Sequence, residues 1–145
     1  MKDPRGDLSF IESNKHIPFL VKRVYYIYNV PKDERRAAHA HKELSQLAVC
    51  LSGALEIILD DGFNKKDFIL NDPSKGLLIL PGIWRDINFL ENSTICMCLA
   101  DRYYSEIDYI RDYEEFKTND IKDYISKYDM KIVIKKYEEC FERIS

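Results

Sequence analysis

Two histidines separated by one residue, His39 and His41, are the side chains of this sequence whose spacing is best suited to chemistry. On a β-strand, residues i and i+2 point to the same face, so both imidazoles can address one small ligand. They can share a metal ion or a proton. The polar residues that accompany them, Gln46 and Arg85, favour the proton, because a guanidinium has five donors and no acceptor and cannot bind a cation. Two neutral imidazoles and an amide are fewer than the three strong ligands of catalytic zinc or non-haem iron sites. An imidazole titrates near ambient pH, and two can hold opposite protonation states across one substrate. That suits proton transfer at a carbon next to a carbonyl. The structural alternative is a pair of rings each bonded to a neighbour. It is weakened because the chain has only three histidines, two of them on this face, in a segment that also offers Arg35, Arg36 and Gln46.

The other candidates each have two readings. Arg85 either pairs with a surface acid such as Asp86 or clamps an anion or carbonyl. Trp84 offers a flat apolar face to a sugar or base ring, or is a core residue, as a lone Trp in a β-protein usually is. Arg23 and Arg36 are either exposed strand-edge charges or diphosphate ligands, since guanidinium forks match phosphate oxygens. Tyr25 and Tyr26 point to opposite faces of a strand, so one of them faces inward.

At 145 residues the chain is expected to form one domain, long enough to bury about two-thirds of its unfolded surface. Its formal charge of −3 is spread without a Lys/Arg-rich block, which argues against nucleic acid as a partner. Apolar runs are interrupted far short of the ~20 residues that span a bilayer. The start of the chain, with Asp3, Arg5 and Asp7, lacks a signal-peptide apolar region, so a cytoplasmic protein is expected. The four cysteines form no CxxC pair; Cys96 and Cys98 would share one strand face, as buried small hydrophobes or as a soft-metal pair.

The pair must be positioned by strands. KRVYYIYNV (22–30) is rich in aromatic and β-branched residues, and further strands are predicted over 38–41, 46–52, 55–60, 66–70, 76–80, 86–89 and 94–100. Ser52-Gly53, Asp61-Gly62, Asn71-Asp72-Pro73 and Pro81-Gly82 supply the turns between them. Many short strands so punctuated predict a sandwich or barrel. Beyond Arg102 the character changes; Ile121, Tyr124, Ile125 and Tyr128 recur at helical spacing, and 130–144 reads as a strand seed followed by a charged, solvated helix.

The order His39-x-His41, Gln46, Gly53, Gly76, Pro81-Gly82, Trp84-Arg85, Asn88 resembles the two-motif pattern of cupins, with Gln46 in place of the usual carboxylate and Arg85 in place of the third histidine. The resemblance selects a mainly β fold, a cupin double-stranded jelly-roll barrel, here with short C-terminal helices. Domain organisation is read as 1–116 for the cupin-like unit and 117–145 for a helical tail packing on it.

A narrower resemblance runs through Arg5-Gly6-Asp7-Leu8, Ile11-Glu12, Ile17-Pro18-Phe19, KRVYYIYNV, HAHKELSQLAVCLSG, LDDG, GLLILPGIW and LADRYYSEIDYIRDYEEF, in that order. Together these resemble the dTDP-4-keto-6-deoxyglucose 3,4-ketoisomerases, over residues 5 to 116. The resemblance implies an enzyme without metal or other cofactor that moves a keto group from C4 to C3 of a dTDP-linked 6-deoxyhexose, for 3-amino sugars of bacterial surface glycans. It implies His39 and His41 as the proton-transfer residues, with His41 as main carbon base and His39 relaying the hydroxyl proton. It also implies Arg23, Arg36 and Trp84 around the dTDP portion, Gln46 and Arg85 facing the hexose, Tyr25 and Arg5 as further substrate contacts, and a homodimer exchanging N-terminal strands. Arg85 resembles the branch giving gluco products and Arg5 the branch giving galacto products. Arg36-Ala37-Ala38 departs from the family, which often has a glycine before the HAH. The competing readings are a metal-dependent cupin, a non-catalytic dTDP-sugar-binding module, and a sugar-nucleotide epimerase on the same fold, which would leave the keto group at C4.

Overall fold

The computed structural model describes residues 2–118. The helical pattern read over 121–128 and the ambiguous segment 130–144 lie outside the described residues. A small hairpin, β1 (Lys2–Asp3) and β2 (Gly6–Asp7), precedes the main strands. These are β3 (Arg23–Ile27), β4 (Arg35–His41), β5 (Gln46–Ser52), β6 (Leu55–Asp60), β7 (Lys65–Leu70), β8 (Gly76–Ile79), β9 (Trp84–Phe89), β10 (Ile95–Ala100) and β11 (Tyr109–Ile110). A single helix, α1 (Tyr113–Thr118), follows.

Two antiparallel sheets face each other, in the orders β3-β10-β5-β8 and β11-β4-β9-β6-β7. Apart from the β6–β7 hairpin, the chain changes sheet at each connection between β3 and β11, which is the jelly-roll path. Alternation along each strand fills the space between the sheets: Ala48, Leu55, Ile57, Leu59, Leu77, Ile79, Ile87 and Phe89 form its core. Gly53 turns the corner from β5 to β6 at φ +78, a conformation open to glycine at little cost. The Gly82 amide, in the turn before β9, donates to the His41 carbonyl at 2.7 Å and ties that turn to the end of β4.

A second, smaller core lies on the outer side of the five-stranded sheet, where Ala40, Trp84, Ile110 and Phe116 pack together under α1. Cys96 and Cys98 do share one buried face of β10, with their sulfurs 3.9 Å apart. Tyr25 is the inward member of its pair, while Tyr26 is exposed on the edge strand β3. No helix among the described residues is long and apolar enough to cross a membrane.

Candidate active site

At one end of the inter-sheet space the core gives way to a cavity of about 510 Å³. Both sheets contribute to its wall: Tyr25, Gln46 and Cys98 from one, and Arg36, His39, Arg85 and Ile87 from the other, with Tyr109 and Arg111 at the side.

The inward turn of the histidines depends on an irregularity in β4. Arg36 pairs with Ile87, Ala37 with Asp86 and His39 with Arg85, so Ala38 is an extra residue in the ladder. Ala37 and Ala38 both adopt left-handed backbone, at φ +73 and +55, a region that favours glycine. The missing glycine noted in the sequence therefore falls where the backbone would use it.

His39 and His41 meet edge to face, with ring centroids 4.8 Å apart and planes at 86°. They have different surroundings. The buried ring nitrogens of His39 have no hydrogen-bond partner of normal geometry, and the ring lines the cavity. Burial, reinforced by the Arg85 guanidinium, holds its pKa down to about 3, so at neutral pH it is a free base. His41 is 1% exposed and stands behind His39, its Nδ1 3.0 Å from Asp108 Oδ2. A carboxylate only accepts, so Nδ1 of His41 carries the proton and the lone pair falls on Nε2. Burial, followed by Arg85 and His39, pushes the His41 pKa well below the ordinary imidazole range. Burial also raises the Asp108 carboxyl, whose Oδ1 accepts from the Glu43 amide at 2.7 Å.

Arg85 is fully buried, and its Nη2 donates to the Ile83 carbonyl at 2.8 Å. Facing it from the other sheet, the Tyr25 hydroxyl donates to Gln46 Oε1 at 3.0 Å, and burial raises the Tyr25 phenol far above its usual range, so it remains a donor. The Arg23 guanidinium lies between the rings of Tyr25 and Tyr104, 5.1 and 5.7 Å from their centroids. Arg35 is ion-paired with Asp86 at 3.2 Å, and Arg36 is exposed at the cavity. These arginines give the site a positive field and leave its proton-transfer groups neutral.

The structure thus brings together Tyr25, Arg36, His39, Gln46 and Arg85 on the cavity wall, with His41 and Arg23 in contact with wall residues. Trp84 is not on that wall. Because Arg85 and Ile87 point inward, Trp84 points outward, where its ring meets Tyr113 edge to face at 5.1 Å. Arg5 lies exposed in the turn between β1 and β2 and does not line the cavity. Of the two histidines, His39 lines the cavity and His41 stands behind it. Sequence reasoning gave no role to Asp108, Tyr109 or Arg111. Their signal was the aromatic and charged density of the segment after Arg102, which becomes meaningful once β11 pairs with β4 and sets Tyr109 opposite His41. Among the described residues no three His, Cys, Asp or Glu side chains are grouped so as to hold a metal ion.

Fold and site together define a cupin-type jelly roll whose inter-sheet cavity is built around neutral imidazoles and arginines. The chain belongs to the family described as FdtA: WxcM-like, C-terminal, which matches residues 1–121. It is 46% identical over 115 residues to the TDP-4-oxo-6-deoxy-alpha-D-glucose-3,4-oxoisomerase of Aneurinibacillus thermoaerophilus, covering 79% of this chain and 83% of that protein. Among solved structures it is similar to a 3,4-ketoisomerase from Helicobacter canadensis, with a TM-score of 0.77, 46% identity and coverage of 79% of this chain and 86% of the other. It also resembles the sugar 3,4-ketoisomerase QdtA from Thermoanaerobacterium thermosaccharolyticum, solved with TDP, with a TM-score of 0.79, 41% identity and coverage of 88% and 89%.

Proposed function

We propose that this protein is a sugar 3,4-ketoisomerase, moving the keto group of a dTDP-linked 4-keto-6-deoxyhexose from C4 to C3. The observation that carries the chemistry is His39: a neutral imidazole with unsatisfied nitrogens on a cavity wall, opposite a fully buried guanidinium. The family and its 3,4-ketoisomerase relatives carry the substrate class.

In this reading His39 removes the C3 proton, and the electron pair of that C–H bond forms the C3–C4 double bond of an enediolate as the C4 carbonyl oxygen takes the charge. Arg85 stabilises that oxygen, acting where charge develops. The hydroxyl proton at C3 passes to the oxygen at C4 and a proton is delivered to carbon C4, so no oxidant or reductant is consumed. His41, oriented by Asp108, supports His39 and takes part in the oxygen-to-oxygen proton transfer. Tyr25 and Gln46 bind the hexose, and Arg36 and Arg23 bind the diphosphate in the positive field of the cavity mouth.

The catalytic unit is residues 1–116, in the cytoplasm. It works as a homodimer with exchanged N-terminal strands; exposed Val24 and Tyr26 on the edge strand β3, with Tyr28 just after it, support a partner along that edge. NMR of chelator-treated protein with dTDP-4-keto-6-deoxyglucose in D2O tests the reading: a 3-keto sugar with solvent deuterium at C4 is expected. An unchanged but saturably bound substrate would point to a binding module, a keto group kept at C4 to an epimerase, and activity only on metal addition to a metal-dependent cupin.

A further inference from the structure

The histidine pair is held on its open side by a chain of contacts outside the jelly-roll strands that carry it. The Tyr109 ring packs on both imidazoles, with centroids 4.9 Å from His39 and 4.4 Å from His41. The Arg111 guanidinium lies over that same ring at 4.3 Å from its centroid. Arg111 is fixed in turn by a two-pronged bond to Glu106, Nε to Oε1 at 2.7 Å and Nη2 to Oε2 at 3.0 Å. Glu106 also accepts from the Tyr104 hydroxyl, and the Tyr104 ring packs on Tyr109 at 5.7 Å. The planar fork matters because it fixes the guanidinium plane that the aromatic ring meets, which an ammonium would not do.

We propose that Arg111, locked by Glu106, is a positioning residue that clamps Tyr109 across His39 and His41 and so fixes the edge-to-face geometry of the pair. Two rings joined by a single intervening residue on an irregular strand each keep rotational freedom about Cα–Cβ and Cβ–Cγ. Tyr109 removes it by touching both. Arg111 removes the corresponding freedom of Tyr109, which sits on a strand of only two residues next to the exposed loop that carries Tyr104 and Glu106. Arg111 therefore affects turnover through ring orientation, not through affinity for the nucleotide.

The kinetic part of this inference rests on the ketoisomerase reading; its spectroscopic part does not. The test measures kcat, KM and dTDP affinity for Arg111→Ala, Arg111→Lys, Tyr109→Leu and Tyr109→Phe, and records the imidazole proton resonances of each without ligand. Arg111→Ala and Tyr109→Leu are expected to lower kcat on the order of tenfold to a hundredfold, with dTDP affinity changed less than about threefold. Arg111→Lys falls between Arg111→Ala and the native protein, and Tyr109→Phe recovers most of the kcat lost in Tyr109→Leu. The His39 and His41 resonances shift in Arg111→Ala while those of His16, packed on Phe10 elsewhere, stay in place. Unshifted imidazole resonances would overturn the proposal whatever the activity. So would an Arg111→Ala variant that loses dTDP affinity at unchanged kcat, which would make Arg111 an anion ligand. If the native protein moves no keto group, the ketoisomerase reading fails while the resonances still decide the clamp.

Discussion

His39 and Arg85 are Cα partners across β4 and β9, so the guanidinium that helps keep His39 unprotonated is built into the neighbouring strand. A base near a buried cation gains no proton at neutral pH, and the same cation lies near any oxygen that becomes negative when that base acts on the adjacent carbon. One residue thus serves two electrostatic ends.

His39→Asn removes the base and leaves the arginines of the mouth untouched. Ketoisomerisation is expected to fall at least about a thousandfold, the range lost when an essential general base is removed, while dTDP binding by calorimetry stays within several-fold. His41→Asn, lacking a ring that faces the cavity, is expected to lose less. A His39→Asn protein that still exchanges the C3 proton with solvent would take the base role away from His39.

Asp108→Asn tests the support of His41. An amide placed at the same site can donate to Nδ1 and stabilise the wrong tautomer, so kcat is expected to drop by roughly a hundredfold with KM little changed. Equal kcat in the two proteins would confine Asp108 to holding the backbone at Glu43, whose amide donates to its Oδ1.

Acid should destabilise the fold early. The His39 pKa falls from 6.5 to about 3 on folding, so between those values the unfolded chain binds a proton that the native protein does not. The unfolded state is then favoured as pH drops, and stability is lost at up to about 1.4 kcal/mol per pH unit from this ring, beginning near pH 6.5. His41, lowered further for the same reason, adds in the same direction. Denaturant melts at intervals between pH 7 and 4 measure the slope, and a flat profile would mean that neither ring is buried as described.

At Gly53 a methyl group has no room. A Cβ there would come within 2.3 Å of Thr94 Oγ1 and 2.8 Å of Thr94 Cα, and φ is +78. Thr94 is itself held by both backbone groups of Ala54, so it cannot yield cheaply. Gly53→Ala is expected to cost about 2 kcal/mol or more, read from thermal melts.

The strands from β5 to β8 and β10 were legible because each is bounded by turn residues and rich in branched or aromatic side chains. The beginnings of β4 and β9 were not. Arg35, Arg36, Ala37 and Ala38 have little β-propensity, and the strand predicted over 86–89 left out Trp84 and Arg85. The sequence paired His39 with His41 by parity alone, and parity is blind to depth: which ring reaches the cavity depends on what covers the other. That cover is Asp108, 67 residues away in the chain, carried on a segment with no periodicity to announce it. Trp84 shows the same limit from the other side, since its outward face was decided by the inward face of Arg85.

The extra residue at Ala38 has a consequence for what a single codon can do here. Counting from Arg36 opposite Ile87, an uninterrupted ladder would set Ala38 opposite Arg85 and turn His39 and His41 to the side where Trp84 and Phe116 now pack. The insertion reverses the phase of the strand midway, so that an arginine at its start and two imidazoles at its end all look into the same space. Straightening the ladder with both alanines kept would exchange the cavity for an aromatic layer as the environment of the pair, whereas deleting Ala38 would leave His39 opposite Arg85 in a regular ladder. Chemistry in this fold is therefore specified by an odd-or-even count as much as by residue identity, and a strand one alanine shorter would need no irregularity to hold the same HxH motif on the same face.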